Sequence, residues 1–206
     1  MSGRGNVFLV DDEPELRQAL TRLLVAEGFD VAAYGSADEF LARDPDGSVG
    51  CLVLDLSMPG VDGLELQQRL AARGAQLAIV FLTGHGDIPT SVRAIKAGAL
   101  DFLTKPVRRA DLLRAVNAGL EQARSAQADA SVQAEQQRRY EQLTPREREV
   151  FAHVIAGKLN KVIAADLGTS EQTIKVHRGR VMEKLAVDSV PDLVRLAQQI
   201  GVEPAP

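Results

Sequence analysis

The chain has 206 residues, is 45% hydrophobic without tryptophan, and carries a net charge of -4, enough for one large or two small domains with aliphatic cores. No apolar run approaches the ~20 residues that span a bilayer, and the opening Met-Ser-Gly-Arg-Gly-Asn lacks the apolar segment of a secretion signal. The single Cys51 excludes an intramolecular disulfide, which fits a cytoplasmic protein. Residues 1–119 hold 12 basic and 16 acidic side chains, residues 144–206 hold 9 and 8. That imbalance points to two units with different tasks and gives no bulk attraction to nucleic acid.

In chain order, Asn6 to Val10 reads as a strand that runs into Asp11-Asp12-Glu13-Pro14. Leu16, Leu20, Leu23 and Leu24 then recur at helical spacing until Gly28. Asp30 to Tyr34 is a second strand and Ala37 to Ala42 a second helix. Val53-Leu54-Asp55-Leu56 reads as a buried third strand broken by Met58-Pro59-Gly60, with a helix over Leu64 to Leu70 after it. Leu77 to Leu82 is a fourth strand ending in Thr83-Gly84-His85-Gly86, followed by a helix from Pro89 to Ala97. Leu100 to Leu103 is a fifth, ending in Thr104-Lys105-Pro106. Five strands alternating with helices predict an α/β unit with a doubly wound parallel sheet.

Asp11, Asp12, Asp55, Thr83 and Lys105 all fall at the carboxyl ends of these strands, the edge where open α/β sheets place their chemistry. Three carboxylates so close would raise one another's pKa unless a cation compensates. A hard divalent cation such as magnesium does so with oxygen ligands, Lys105 adds positive charge and Thr83 a hydroxyl donor. The set suits a phosphoryl group in transit to a carboxylate nucleophile. His85, beside Thr83, is either a base or an ordinary solvated loop histidine. Gly84 and Gly86 leave the approach open, and no Gly-rich loop followed by Lys-Ser/Thr is present, which excludes a nucleotide-hydrolysing reading.

Asp-Asp, then Asp55 with Met-Pro-Gly, then Thr83-Gly84, then Lys105-Pro106, resembles the receiver domain of two-component response regulators over about residues 5–120. The resemblance implies that Asp55 accepts phosphate from a phosphohistidine on a sensor histidine kinase. It implies that Asp12, Asp55 and the Ser57 carbonyl bind Mg2+, with Asp11 helping through water, and that Thr83 and Lys105 hold the phosphoryl oxygens. Phe102 matches the family's switch aromatic, which moves inward as the threonine hydroxyl turns; on its own it reads equally as a core residue of the fifth strand.

A helix starting near Arg108 presents Leu112, Leu113, Val116 and Leu120, and no Gly or Pro interrupts Leu120 through Thr144. Ala, Gln, Glu and Arg favour a continuous helix. Val116, Leu120, Ala123, Gln127, Ala130, Ala134 and Gln137 follow heptad spacing, compatible with a weak coiled coil or with a solvated spacer. The domains are expected at 1–120, 121–140 for the helical linker, and 141–206.

Thr144-Pro145-Arg146-Glu147 carries a capping box and a proline at the first helical position. Its helix shows Val150, Phe151, Val154 and Ile155 on one face and stops at Gly157; a second runs Lys161 to Leu167, ending at Gly168. Ser170 caps a third over Glu171 to Leu185, and a fourth spans Val190 to Gln199, which together predict an all-α helix-turn-helix unit. On the third helix Ile174, Val181 and Leu185 should face the core, leaving Lys175, Arg178, Arg180 and Lys184 for phosphate or guanine contacts, or simply for water. Leu143-Thr-Pro-Arg-Glu-Arg-Glu-Val150 with Asn160-Lys161, Leu167-Gly168 and Thr173-Ile174-Lys175-Val176-His177 resembles the LuxR-type DNA-binding domain of NarL/FixJ regulators. That resemblance places Lys175, Val176 and Gly179 toward the groove, with Thr173, Arg180 and, at the backbone, Lys161, His177 and Arg178. Some relatives carry a lysine where Gly179 stands, which leaves base readout at that position open, and His177 could equally be a packing residue.

The sequence therefore reads as a phosphorylation-controlled transcriptional regulator, not an enzyme beyond its own phosphotransfer and dephosphorylation. It would bind promoter double-stranded DNA, act with RNA polymerase, and dimerise on phosphorylation around Val92, Ile95, Lys96 and Asp101, to match half-sites about one helical turn apart. An aspartyl-phosphate phosphatase would need a second acid two residues after Asp55, where Ser57 stands. An RNA-binding output is disfavoured by the helix-turn-helix strings.

Overall fold

The computed structural model describes residues 4–43, 48–84 and 88–206, and of 88–91 the backbone only. The chain divides into two compact units, Met1–Ala128 and Asp129–Pro206. In the first, β1 (Asn6–Val10), β2 (Asp30–Tyr34), β3 (Val49–Asp55), β4 (Gln76–Thr83) and β5 (Asp101–Thr104) form one sheet in the order β2-β1-β3-β4-β5. Every neighbouring pair is parallel. Such pairs need crossovers, and α1 (Pro14–Ala26), α2 (Ala37–Arg43), α3 (Gly63–Ala72) and α4 (Ile88–Lys96) supply them.

The period-2 alternation of buried strands sorts side chains onto two faces. Cys51 and Val53 of β3 join Val7, Leu9, Leu20, Leu24 and Val116 in one core, while Leu52 and Leu54 join Phe40, Leu66, Phe81 and Ala94 in the other. β3 and β4 lie inside the sheet with both faces covered, hence their near-continuous apolar runs. β1 connects outward to β2 on one side while β3 lies on its other side, so the topological switch falls at the carboxyl ends of β1 and β3. β5 starts at Asp101 rather than Leu100, whose amide instead donates to the Ile79 carbonyl at 2.8 Å.

The helix α5 is continuous from Arg109 to Glu141. Val116, Leu120 and Ala123, expected at the start of a heptad seam, are buried, and the first two belong to the sheet's core. Those positions are therefore spent on the first unit, and Gln127, Ala134 and Gln137 beyond them are exposed. A coiled coil would have to use this polar remainder.

The second unit contains α6 (Pro145–Ile155), α7 (Asn160–Asp166), α8 (Glu171–Leu185) and α9 (Val190–Gln199). The capping box forms as the sequence implies: the Glu147 amide donates to Thr144 Oγ1 at 3.3 Å and the Thr144 amide to Glu147 Oε2 at 2.9 Å. Gly157 and Gly168 end α6 and α7 with φ of 77° and 63°, where an L side chain is strained. Val150, Phe151, Ile163, Ile174, Val181, Leu185, Leu193 and Leu196 make the core, and the Tyr140 ring at the end of α5 lies tilted, 5.5 Å from that of Phe151.

Candidate functional site

The carboxyl ends of β1, β3, β4 and β5 bring Asp11, Asp55, Thr83 and Lys105 to one place. Asp11, Asp55 and Thr83 are 0%, 3% and 1% exposed, and Asp12 stands at the rim. Carboxylate oxygens of Asp11, Asp12 and Asp55 lie within 4.8 Å of one another. Lys105 Nζ is 2.9 Å from each of Asp11 Oδ2, Asp55 Oδ2 and Glu13 Oε1. The remaining oxygen of Asp55, Oδ1, accepts the Ser57 amide at 3.2 Å, and that of Asp11 accepts the Glu13 amide at 2.8 Å. The Lys105 amide donates to the Thr83 carbonyl at 2.7 Å and the Leu56 amide to the Leu82 carbonyl at 2.9 Å, so the sheet's own ladder sets the spacing of three of the loops.

Burial pushes the Asp55 carboxyl above its ordinary range, and neighbouring Asp11 adds to that, against the pull of Lys105 and of the Ser57 amide. Burial alone would lower the Lys105 ammonium, but its hydrogen bonds with Asp11, Glu13 and Asp55 more than reverse it and hold its pKa above the usual lysine value. Three carboxylates thus share the Lys105 ammonium, Asp12 adds a fourth negative charge beside Asp11 and Asp55, and Arg17 binds the Asp11 backbone carbonyl rather than a carboxylate. This all-oxygen set is the kind a hard divalent cation completes. Glu13, the third partner of Lys105, escaped the reading of the sequence; it directly follows Asp11-Asp12, and the length of a lysine side chain was the available signal. His85 and Gly86 lie outside the described residues.

Phe102 is half-buried, its ring 6.2 Å from that of Phe81. Val92, Ile95 and Lys96 are exposed on α4, while Asp101 is half-buried and its Oδ1 accepts the Phe102 amide at 2.8 Å.

On α8, Ile174, Val181 and Leu185 are buried, and Lys175, Val176, Gly179 and Arg180 are exposed. Lys161 is exposed on α7. Thr173 supports the helix start: its amide donates to Ser170 Oγ at 3.1 Å, with the two hydroxyls 2.8 Å apart. Arg178 is half-buried, its Nη1 donating to Asn160 Oδ1 at 3.1 Å, and half-buried His177 has its Nδ1 buried. Lys184 corrects the sequence reading. Rather than facing a ligand with the other cations of α8, it lies 2.6 Å from Glu147 Oε2 and 3.4 Å from the Gln142 carbonyl. The capping carboxylate of α6, 2% exposed as a residue, needs that ammonium. Gln172 is exposed in the first turn of α8.

Residues 7–117 match the family described as response regulator receiver domain, and residues 141–197 match bacterial regulatory proteins of the luxR family. This chain belongs to the response regulators. Nodulation protein W of Bradyrhizobium diazoefficiens is 42% identical over 98% of this chain and 88% of its own length. The transcriptional regulatory protein FixJ of the same organism is 40% identical over 98% of each. Among solved structures, the response regulator StyR is 43% identical with a TM-score of 0.82, covering 94% of this chain and 98% of its own. Full-length FixJ from B. japonicum is 40% identical with a TM-score of 0.60, covering 97% and 98%. This response regulator joins a receiver to a luxR-type DNA-binding unit, and it is a phosphorylation-controlled regulator of transcription. No helix among the described residues is long and apolar enough to cross a membrane.

Proposed function

We propose that Asp55 is the phosphoacceptor and that a sensor histidine kinase is the donor. The supporting observation is the convergence on one buried carboxylate of an ammonium at 2.9 Å, two further aspartates and a buried threonine. A carboxylate oxygen of Asp55 attacks the phosphorus of a phosphohistidine; the P–N bond breaks as the P–O bond forms, and the imidazole leaves with the electron pair. Lys105 swings from its carboxylate partners to the incoming phosphoryl oxygens, and the Thr83 hydroxyl donates to another. Catalysis here goes no further than this self-phosphorylation and the later hydrolysis.

The three aspartate carboxylates fit Mg2+ by their oxygen chemistry and surplus charge. Asp12, Asp55 and the Ser57 carbonyl would hold it, with Asp11 through water, and it would supply neutralisation of phosphoryl charge. Phosphorylation adds about -1.5 to -2 charges, and the receiver's readout runs through Thr83 and Phe102 to a homodimer built on Val92, Ile95, Lys96 and Asp101. The functional boundaries are 1–120, 121–140 and 141–206. Lys175, Val176 and Gly179 face the groove of promoter DNA, Lys161, His177 and Arg178 meet its backbone, Thr173 and Arg180 add to the DNA-binding set, and the bound dimer works with RNA polymerase in the cytoplasm.

The test is the mass and oligomeric state of wild type and Asp55→Ala with Mg2+ and a small phosphodonor. A phosphoadduct and a dimer on wild type alone, with tighter duplex binding, is the expected outcome. An adduct that persists in Asp55→Ala, or a wild type that never gains one, would sink the assignment.

A further inference from the structure

Gly179 lies in the interior of α8, where glycine weakens a helix relative to alanine. Nothing inside the protein asks for it. A Cβ on Gly119, in α5, would come within 2.7 Å of Cys51 Sγ, and one on Gly63 within 2.5 Å of the Asp55 carbonyl oxygen. Those helical glycines answer to packing. A Cβ on Gly179 would meet no heavy atom within 4 Å beyond its chain neighbours and the backbone of its own helix turns, and its backbone lies outside the left-handed region that favours glycine. Elsewhere among the described glycines, open space goes with a positive φ, except at Gly84 in the loop after β4.

At 100° per residue, Gln172, Val176, Gly179 and Glu183 fall on the side of α8 opposite Ile174, Val181 and Leu185. All four are exposed, and Gly179 lies between Val176 one turn before and Glu183 one turn after. A carboxamide can hydrogen-bond the adenine edge twice, and an aliphatic side chain can cover a thymine methyl. A side chain at Gly179 would stand between those groups and a groove floor.

We propose that Gly179 is a steric notch in which double-stranded DNA seats, so that the missing side chain lets Gln172 and Val176 reach base edges and sets sequence choice. The proposal rests on the assignment of α8 to the DNA groove and adds the reason for its glycine. A side chain at Gly179 should therefore strengthen the fold and weaken binding.

The full chain, with Mg2+ and acetyl phosphate, would be used to select from a duplex pool with a random core. Wild type, Gly179→Ala and Gly179→Lys would then be titrated with the selected duplex and with a scrambled one. Gly179→Ala should melt higher than wild type yet bind the selected duplex about tenfold or more weakly, with the scrambled duplex unchanged. Gly179→Lys should gain on the scrambled duplex, with a salt slope steeper by about one charge, and lose preference for the selected one. Binding of the selected duplex by Gly179→Ala within about twofold of wild type would overturn the notch alone. So would a lower melting point for Gly179→Ala, since the glycine would then serve the fold. A wild type that carries phosphate on Asp55 but enriches no sequence would overturn the groove assignment and the notch together.

Discussion

Each unit of this response regulator buries a carboxylate against a lysine, and the two pairs are built to different ends. Around Lys105 the count is unequal: Asp11, Glu13 and Asp55 share one ammonium, and Asp12 adds a further negative charge at the rim. Around Glu147 the count closes, with Lys184 Nζ at 2.6 Å and the Thr144 amide at 2.9 Å on the same carboxylate. The consequence shows in opposite pKa directions. Burial dominates at Asp55 and pushes it up, whereas at Glu147 burial also pushes up but the hydrogen bonds from Lys184 and Thr144 outweigh it and hold the acid below its usual range. A satisfied pair holds a helix in place; an unsatisfied cluster keeps a demand for positive charge that a ligand can meet. The same residue types become structure or site according to whether the local charges cancel.

The largest effect expected from breaking this comparison is in the closed pair. Lys184→Met strands Glu147 as a buried charge, which costs about 3–5 kcal/mol for a dry pair. Lys184 is 35% exposed, so solvent screening should bring that to about 2 kcal/mol. Hydrogen exchange at the α6 amides is the suitable readout, since it follows one unit without assuming a single unfolding transition. Mg2+ should do nothing for this variant.

Lys105→Met should lower the receiver's stability by about 1–2 kcal/mol in chelator, because Asp11 and Asp55 lose the ammonium they share. Here saturating Mg2+ should recover most of the loss, through ligand linkage that reaches about 2.7 kcal/mol at a hundred times Kd. Metal rescue of Lys184→Met, or its failure for Lys105→Met, would erase the distinction between closed pair and open cluster. A smaller change of opposite sign is expected at Asp12→Asn. Removing one of the mutually repelling charges should raise metal-free stability by up to about 1 kcal/mol while abolishing the stabilisation by Mg2+, both measurable by the same exchange experiment.

The residues that carry these effects differ in how visible they are in the chain. Asp11, Asp12, Asp55, Thr83 and Lys105 each end a strand whose apolar run announces it, so their convergence follows from topology. Thr144-Pro145-Arg146-Glu147 is likewise legible because a cap is local chemistry. The part hidden from sequence is who pairs with whom at long range. Lys184 reads as one more cation on an amphipathic helix until α6 and α8 pack and set it beside Glu147, 37 residues away in the chain. Val116, Leu120 and Ala123 fit a heptad and a receiver core equally well, because both ask for an apolar stripe on a helix. Gly179 is visible as a glycine in the chain, but the open space around its missing Cβ is a matter of packing that no local pattern records.

The finest test of the comparison is pH, because the two carboxylates should respond with opposite sign. Glu147 has a lowered folded-state pKa. Its contribution is therefore complete above the unfolded value of about 4.3 and disappears as pH falls through the lower folded value. Asp55 has a raised folded-state pKa. Its ionised form costs stability, a cost that is absent below the unfolded value of about 3.9, builds as pH rises, and is complete above the folded value. Wild type should thus be more stable than Glu147→Gln at neutral pH and less stable than Asp55→Asn, with Mg2+ removed by chelator. Both gaps should shrink on acidification, the first by loss of stability in wild type and the second by gain. Two gaps of the same sign at neutral pH would mean that the Lys105 ammonium satisfies Asp55 as fully as Lys184 satisfies Glu147, and that the receiver cluster has no unmet charge for a metal or a phosphoryl group to use.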